Sequence, residues 1–381
     1  MESKKKLNIL IFSWRGPGHP NAGGAEIVTH EHAKGWIKVG YNVTLFTSTF
    51  KGAKSDETID GVNIKRRSSQ IFGVHFAAFK WYVFGKHPRY DLIVDQFHGI
   101  PFFTPLYARV KKLALIHEVT KEVWRVNPWH KPFSYIPAVL GTIFEPLIFK
   151  LFYVDIPFMT VSDSTKKDLI AWDIPSTNIT VIHAGLIRPK IKKLPPKEKN
   201  KTIIYLGALA KDKGVEDALI VFSQLTQISP DWQFWVVGKA DPRYLNKLII
   251  QVKHLNLDKK IKFWGFVTEN KKFELLARAH ILLNPSIREG WGLVVIEAAS
   301  VGTPTIAFDV AGLQDSIVNG KTGILVKKYL VEDLTKAVVD LINDSGLYKS
   351  LAKNATAWSK NFYWEKASPE SIKLIHRIVG K

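Results

Sequence analysis

The chain has no cysteine and only two methionines in 381 residues. Without thiols there is no disulfide framework, no thiolate zinc site, no iron–sulfur cluster and no cysteine nucleophile. Acidic residues are also scarce: 34 Asp and Glu face 54 Lys and Arg, a formal charge of +20. The partners to consider are therefore anionic: nucleic acid, an acidic membrane surface or phosphorylated small molecules. A nucleic-acid arm would segregate this charge, but the chain through residue 190 holds 25 basic and 15 acidic residues and the rest holds 29 and 19, so each part carries +10. No Asp-x-Asp occurs, which removes the usual carboxylate clamp for a divalent metal on a nucleotide diphosphate. A clean bilayer-crossing run is missing too. The most apolar stretch, residues 136–153, is interrupted by Glu145, Pro146 and Lys150 before it reaches the roughly 20 residues a crossing needs. It predicts a helix that is either core or partly interfacial.

What is present is an ordinary globular composition, 46% hydrophobic and 23% charged, with length for two domains. Short apolar runs at 7–12, 42–47, 91–95, 113–117 and 158–162 predict buried strands separated by helices, the rhythm of a parallel sheet covered on both faces. The Pro- and Lys-rich segment 189–199 predicts a linker. After it the rhythm restarts, with strands expected at 202–206, 233–237, 262–263, 281–284, 305–308 and 323–326, and helices near 215–228, 242–256, 271–279, 292–301 and 331–343. Two such domains make a cleft, and ligands of open α/β sheets sit at the carboxyl ends of strands. The lysines of residues 1–6 run directly into the first strand, so no signal peptide is expected and the location expected is cytoplasmic.

Four constellations carry chemistry. In Asn284-Pro285-Ser286-Ile287-Arg288-Glu289-Gly290-Trp291-Gly292-Leu293, a strand ends, a loop follows and a helix begins near Gly292. Free N–H groups at that helix start suit an anion or a hydroxyl-rich ligand. Glu289 at the loop and Glu297 eight residues on are placed by helical spacing near one side, where two carboxylates grip separate hydroxyls of one extended ligand; a capping carboxylate and a solvated helix residue are the plain alternatives. In Leu206-Gly207-Ala208-Leu209-Ala210-Lys211-Asp212-Lys213-Gly214, Lys213 supplies a cation where a phosphate would rest, unless it is a simple surface charge. Near the start, Arg15 is followed by a glycine-rich loop with Gly23 and Gly24 before a helix carrying Glu26, His30, Glu31 and His32. The glycines allow backbone amides to approach a ligand, but the spacing is neither a dinucleotide fingerprint nor HExxH, and no metal site is expected. His117 closes a strand, in position to hydrogen-bond a reacting hydroxyl or to serve structure alone.

Together these residues resemble the retaining glycosyltransferases of the GT-B fold, family 4 (group 1), over essentially the whole chain; Glu289-x7-Glu297 with Gly290 and Gly292 between is the most specific part. The resemblance implies two Rossmann-like domains facing each other across a cleft: an acceptor-binding domain over 1–188, a nucleotide-sugar-binding domain over 189–362, and a C-terminal helix over 363–381 returning to the first. It implies His117 and Glu289 as catalytic residues beside the donor sugar, Glu297 on the nucleotide ribose and Lys213 on the diphosphate. Donor contacts from Gly23, Gly24, Gly290, Trp291, Gly292 and Leu293 are implied as well. The family commonly has Arg where Ala208 stands, so Arg15, Lys211 and Arg288 are the candidates to support the diphosphate. The expected activity is transfer of a sugar from a UDP- or GDP-sugar to a hydroxyl of a lipid-linked or membrane-surface acceptor, with no cofactor and no obligate metal. The basic, aromatic first half fits contact with an anionic membrane, and no nucleic acid is expected. Another GT-B enzyme, a phosphorylase or nucleotide-sugar epimerase, is the alternative; a nucleic-acid-binding protein is a more remote one, lacking a basic stripe.

Overall fold

The computed structural model describes residues 6–126, 135–188, 191 and 193–380. By contact the chain divides into two units, residues 1–185 with 364–381, and residues 186–363.

In the first unit eight strands form one sheet: β1 (Asn8–Ser13), β2 (Asn42–Thr47), β3 (Asp56–Ile59), β4 (Val62–Arg66), β5 (Leu92–Phe97), β6 (Lys111–Ile116), β7 (Phe158–Thr160) and β8 (Ile179–Val181). Their order is β3-β4-β2-β1-β5-β6-β7-β8, parallel except that β3 runs antiparallel to β4. The β3–β4 hairpin was not expected from the alternation of strands and helices, although its turn, Asp60-Gly61, has positive φ at both residues, as a two-residue hairpin turn requires. The helices of this unit are α1 (Gly24–Lys38), α2 (Phe72–Phe84), α3 (Thr104–Tyr107), α4 (Tyr135–Ile148, continued by a π-helical turn over Phe149–Tyr153) and α5 (Asp163–Ile170).

Alternate residues of the central strands divide between the two faces of the sheet. Ile9, Ile11, Leu92, Val94, Leu113 and Leu115 join Trp36 of α1 in one core. That core is completed by Ala367, Leu374 and Ile375 of the C-terminal helix Trp364–Val379, whose Ser371 hydroxyl accepts from Trp36 Nε1 at 3.0 Å. The expected return of the last helix to the first domain is what the chain does. On the opposite face lie Leu10, Phe12, Phe46 and Ile93 beneath α2, and Ala114, Ile116 and Phe158 beneath the end of α4.

The second unit has six parallel strands, β9 (Lys201–Leu206), β10 (Trp232–Val237), β11 (Ile261–Gly265), β12 (Ile281–Asn284), β13 (Thr305–Phe308) and β14 (Gly323–Val326), in the order β11-β10-β9-β12-β13-β14. This is the dinucleotide-fold order, in which the winding reverses between the first and fourth strands and leaves a crevice at their carboxyl ends. Its helices are α6 (Val215–Ile228), α7 (Pro242–His254), α8 (Glu269–Arg278), α9 (Leu293–Ser300), α10 (Leu313–Ser316), α11 (Val331–Asn343) and α12 (Ser345–Ser359), so the helix 364–379 is α13. Asp241 and Thr268 cap α7 and α8 by accepting from backbone N–H groups one turn in.

Candidate functional site

In the second unit the loops after β9 and β12 flank the reversal point, and they are locked together. Ile287 N–H donates to the Asp212 carbonyl at 3.0 Å. Gly214, at φ +70°, lies so close that a Cβ would stand 2.0 Å from the Pro285 carbonyl oxygen; only glycine fits this crossing. Lys213 is thereby aimed at the second loop, its Nζ 3.1 Å from Glu289 Oε2 and 3.4 Å from the Arg288 carbonyl. The other Glu289 oxygen accepts from Ser286 Oγ at 2.8 Å. A third loop, after β13, closes on the same place: Glu289 N–H donates to the Ala311 carbonyl at 3.2 Å, and a Cβ on Gly312, at φ +79°, would stand 2.1 Å from the Glu289 carbonyl oxygen. Three strand ends thus fix one carboxylate and one ammonium.

Glu289 precedes α9, whose first residue is Leu293, so the expected helical alignment of the two acids does not apply: only Glu297 is on the helix. The acids have different cationic partners. Glu297 Oε1 is 2.6 Å from Lys272 Nζ on α8, and Lys272 also meets Glu269 at 2.8 Å. Burial pushes the Glu297 carboxyl up, with the Lys272 ammonium pulling it back. Burial works against the Lys272 charge, but the Glu297 and Glu269 carboxylates hold its pKa above the ordinary value. The arrangement is an ion pair able to offer carboxylate oxygens to hydroxyl donors. The Trp291 side chain is buried in an aromatic cluster, 4.9 Å from the Phe362 ring centroid, so its backbone is the part available to a ligand. Arg288 is buried and Lys211 exposed.

In the first unit the glycine loop after β1 is held by charge. Arg15 Nε stands 2.9 Å from Glu26 Oε1 and its guanidinium also donates to the Asn21 carbonyl. The second Glu26 oxygen accepts from Gly23 N–H at 2.7 Å. This closes the first turn of α1, which starts at Gly24. One turn on, Thr29 Oγ1 lies 3.3 Å from His117 Nε2. His117 is buried, and burial lowers its pKa to about 3, with His32 and His98 adding to the fall. It is therefore a neutral imidazole at any working pH.

Ser286, Gly312, Lys272 and Thr29 were not singled out from the sequence. Ser286 lay inside the motif; Lys272 and Thr29 sit on helices as ordinary polar residues, and nothing local marks their partners.

Comparison with known proteins gives the family. The sequence model of a family described as glycosyl transferases group 1 matches residues 187–358, and that of Glycosyltransferase Family 4 matches residues 22–186. The chain spans about half the length of curated relatives it matches, among them glycogen synthase of Mycobacterium tuberculosis, 28% identical over 199 residues, 51% of this chain and 48% of that one. Among solved structures, sucrose-phosphate synthase of Thermosynechococcus elongatus superposes with a TM-score of 0.81 at 20% identity over 98% of this chain and 100% of that one. HepE of Anabaena, solved with UDP-glucose, gives 0.72 at 17% identity over 97% and 100%.

Proposed function

Because the chain belongs to the group 1 glycosyltransferases, with their GT-B fold, we propose that it transfers a sugar from a UDP- or GDP-sugar to an acceptor hydroxyl with retention of configuration. The observation that carries this reading is the Lys213–Glu289 pair, 3.1 Å apart at the carboxyl ends of β9 and β12, with the start of α9 four residues beyond Glu289. Breaking the bond between the anomeric carbon and the diphosphate leaves negative charge on the diphosphate and positive charge on the sugar. Lys213 and the backbone N–H groups at Gly292 and Leu293 meet the first, and the Glu289 carboxylate lies beside the second. In this reading the bound diphosphate competes with Glu289 for Lys213, and Ser286 keeps the freed carboxylate oriented. Glu297 takes the ribose hydroxyls, steadied by Lys272. His117, neutral, exchanges a hydrogen bond with a sugar hydroxyl, and Gly23 and Gly24 offer backbone to the donor. The residues near 186–363 form the donor unit and those before it the acceptor unit.

The fixed cations take the place of a divalent metal on the diphosphate. A nucleotide-sugar donor is supported by the neighbours solved with UDP and UDP-glucose. We assign the acceptor to a lipid-linked or membrane-surface glycan, which the enzyme, cytoplasmic and peripheral, meets at an anionic bilayer; the +20 charge supports this. The test is donor turnover with UDP- and GDP-sugars over a panel of lipid-linked acceptors, with product configuration read by NMR. Wild-type protein is expected to give one α-configured product in excess chelator from an α-linked donor, and Glu289→Gln none. An inverted product, or full activity of the variant, contradicts the reading.

A further inference from the structure

Two helices of the first unit are built the wrong way out for a water-facing surface. On α2 the buried residues are the small Val74 and Ala78, while Phe72, Phe76, Phe79 and Val83 are exposed, Phe72 at 74%. On α4 the buried side chain is its one acid, Glu145, which accepts from Thr120 N–H at 2.9 Å and from Trp124 Nε1 at 2.7 Å. Its exposed residues include Ile136, Leu140, Ile143 and Leu147. Both sets have the spacing i, i+4, i+7, i+11, one stripe of a helix. Of the two readings of 136–153, core or partly interfacial, the core one does not hold: the stretch lies on the surface, and only 11% of its most apolar 18-residue window is buried. By length and composition it is the one helix among the described residues apolar enough to cross a bilayer, yet Glu145 and the packing of Phe149 and Tyr153 on β6 and β7 hold it flat along the sheet.

The two stripes belong to one surface. Phe12, Asp95, Ala114 and Phe158 are register partners across β1, β5, β6 and β7, so the helices that cover Phe12 and Phe158 lie on one face of the sheet. Between them α3 touches both, Tyr107 to Phe79 at 5.2 Å and, just before α3, Phe103 to Phe152 at 5.8 Å between ring centroids. It adds Leu106, 63% exposed. Such a continuous apolar area is far from ordinary for a water-facing surface.

Along α2 and α3 the charge has one sign. No Asp or Glu occurs from Ser68 to Tyr90 or from Gln96 to His117. Lys80 lies on α2, Lys86 and Arg89 precede β5, Arg109 precedes β6 and Lys111 opens it, all exposed. An apolar plane with a basic rim matches the acyl boundary and the anionic headgroups of a bilayer, with aromatic side chains at the depth they favour. We propose that the α2–α3–α4 face docks in the plane of an anionic membrane, with the Phe76 and Ile143 stripes seated among the acyl chains and the lysines and arginines on phosphates. This deepens the reading of a membrane-surface acceptor by naming the surface that reaches it.

The test is sedimentation of the full chain with vesicles of phosphatidylcholine alone or with about 30% phosphatidylglycerol, at about 0.1 M and about 0.5 M salt. Wild-type protein is expected to pellet with anionic vesicles and to keep part of its binding at high salt, because seated apolar side chains are not screened. Phe76→Ser with Ile143→Ser should weaken binding at least about tenfold, and Lys86→Glu with Arg89→Glu should remove the low-salt component. Each variant is checked for an unchanged melting midpoint and unchanged nucleotide binding; if the first pair does not fold, the charge reversals and the salt series still decide. No wild-type binding to anionic vesicles at low salt, or equal binding by folded variants, overturns the proposal. So does a dimer dispersed by the same apolar substitutions in a protein that ignores vesicles. Vesicle binding is read without nucleotide, so its failure is distinct from failure of the donor reading.

Discussion

The two units use one architecture for different ends. Both are largely parallel sheets whose strand ends carry loops opening into helices, yet the second unit sets two lysine–glutamate pairs beside those ends, whereas the first combines the Arg15–Glu26 pair with a buried, neutral His117. In the second, Lys213 with Glu289 and Lys272 with Glu297 are part-buried pairs, 3.1 and 2.6 Å apart. In the first, burial leaves the imidazoles of His117 and His32 neutral, and apolar side chains of α2 and α4 cover one outer face. A Rossmann-like frame therefore does not fix polarity at its functional end. Local pairing does, and the sequence around each strand end decides it.

The contrast can be broken most sharply at Glu289. Glu289→Gln should lower turnover by about 100- to 1000-fold, the scale for removing one preorganised electrostatic contact, with the melting midpoint little changed; steady-state transfer assays measure it. Lys213→Ala should act on the donor, raising its KM about 10- to 100-fold, since a charge-assisted contact to a phosphate is worth roughly 1.5–3 kcal/mol. An unchanged KM would show the ammonium to be an ion-pair partner only.

On the first unit, Glu145→Ala should destabilise by about 1–3 kcal/mol, because Thr120 N–H and Trp124 Nε1–H lose a buried acceptor; urea unfolding measures this, with no loss of nucleotide binding. A comparable effect on stability follows from pH. The pKa values of His117 and His32 are lowered by burial from 6.5 to about 3 and about 4. The unfolded chain therefore binds more protons between pH 6.5 and those values, and stability present above pH 6.5 is lost as pH falls through that window. The loss approaches about 1.4 kcal/mol per pH unit for each histidine. Unfolding midpoints at pH 7 and pH 5 should converge in His117→Asn relative to wild type. Smallest of all is Lys211→Ala: the side chain is exposed, and its removal should change donor KM by less than about twofold.

Much of this was legible in advance. Apolar runs bounded by turn residues located β2, β12, β13 and β14, and helices α6 and α11, to the residue, because a strand buried on both faces has few ways to be written. The hairpin strands β3 and β4 were not, since their half-exposed pattern lacks such a run and only the Asp60-Gly61 turn marks them. Within the site, Glu289, Lys213 and His117 stood out by residue type at or after strand ends, and Glu297 by its spacing from Glu289. Their partners did not: Lys272 reaches Glu297 from another helix, and Thr29 reaches His117 across 88 positions of sequence. The face of α4 was illegible for a related reason. Periodicity gives the stripe, and only the packing of Glu145 reveals which side is turned inward.

The central claim is that Lys213, Glu289 and Glu297 form a nucleoside-diphosphate site, and calorimetric titration of the full chain with UDP and with GDP tests it most directly. One of the two is expected to bind, at least about tenfold more weakly to Lys213→Ala and to Glu297→Gln, each losing a charge-assisted contact. Binding of neither, or equal binding by folded variants, would contradict the account.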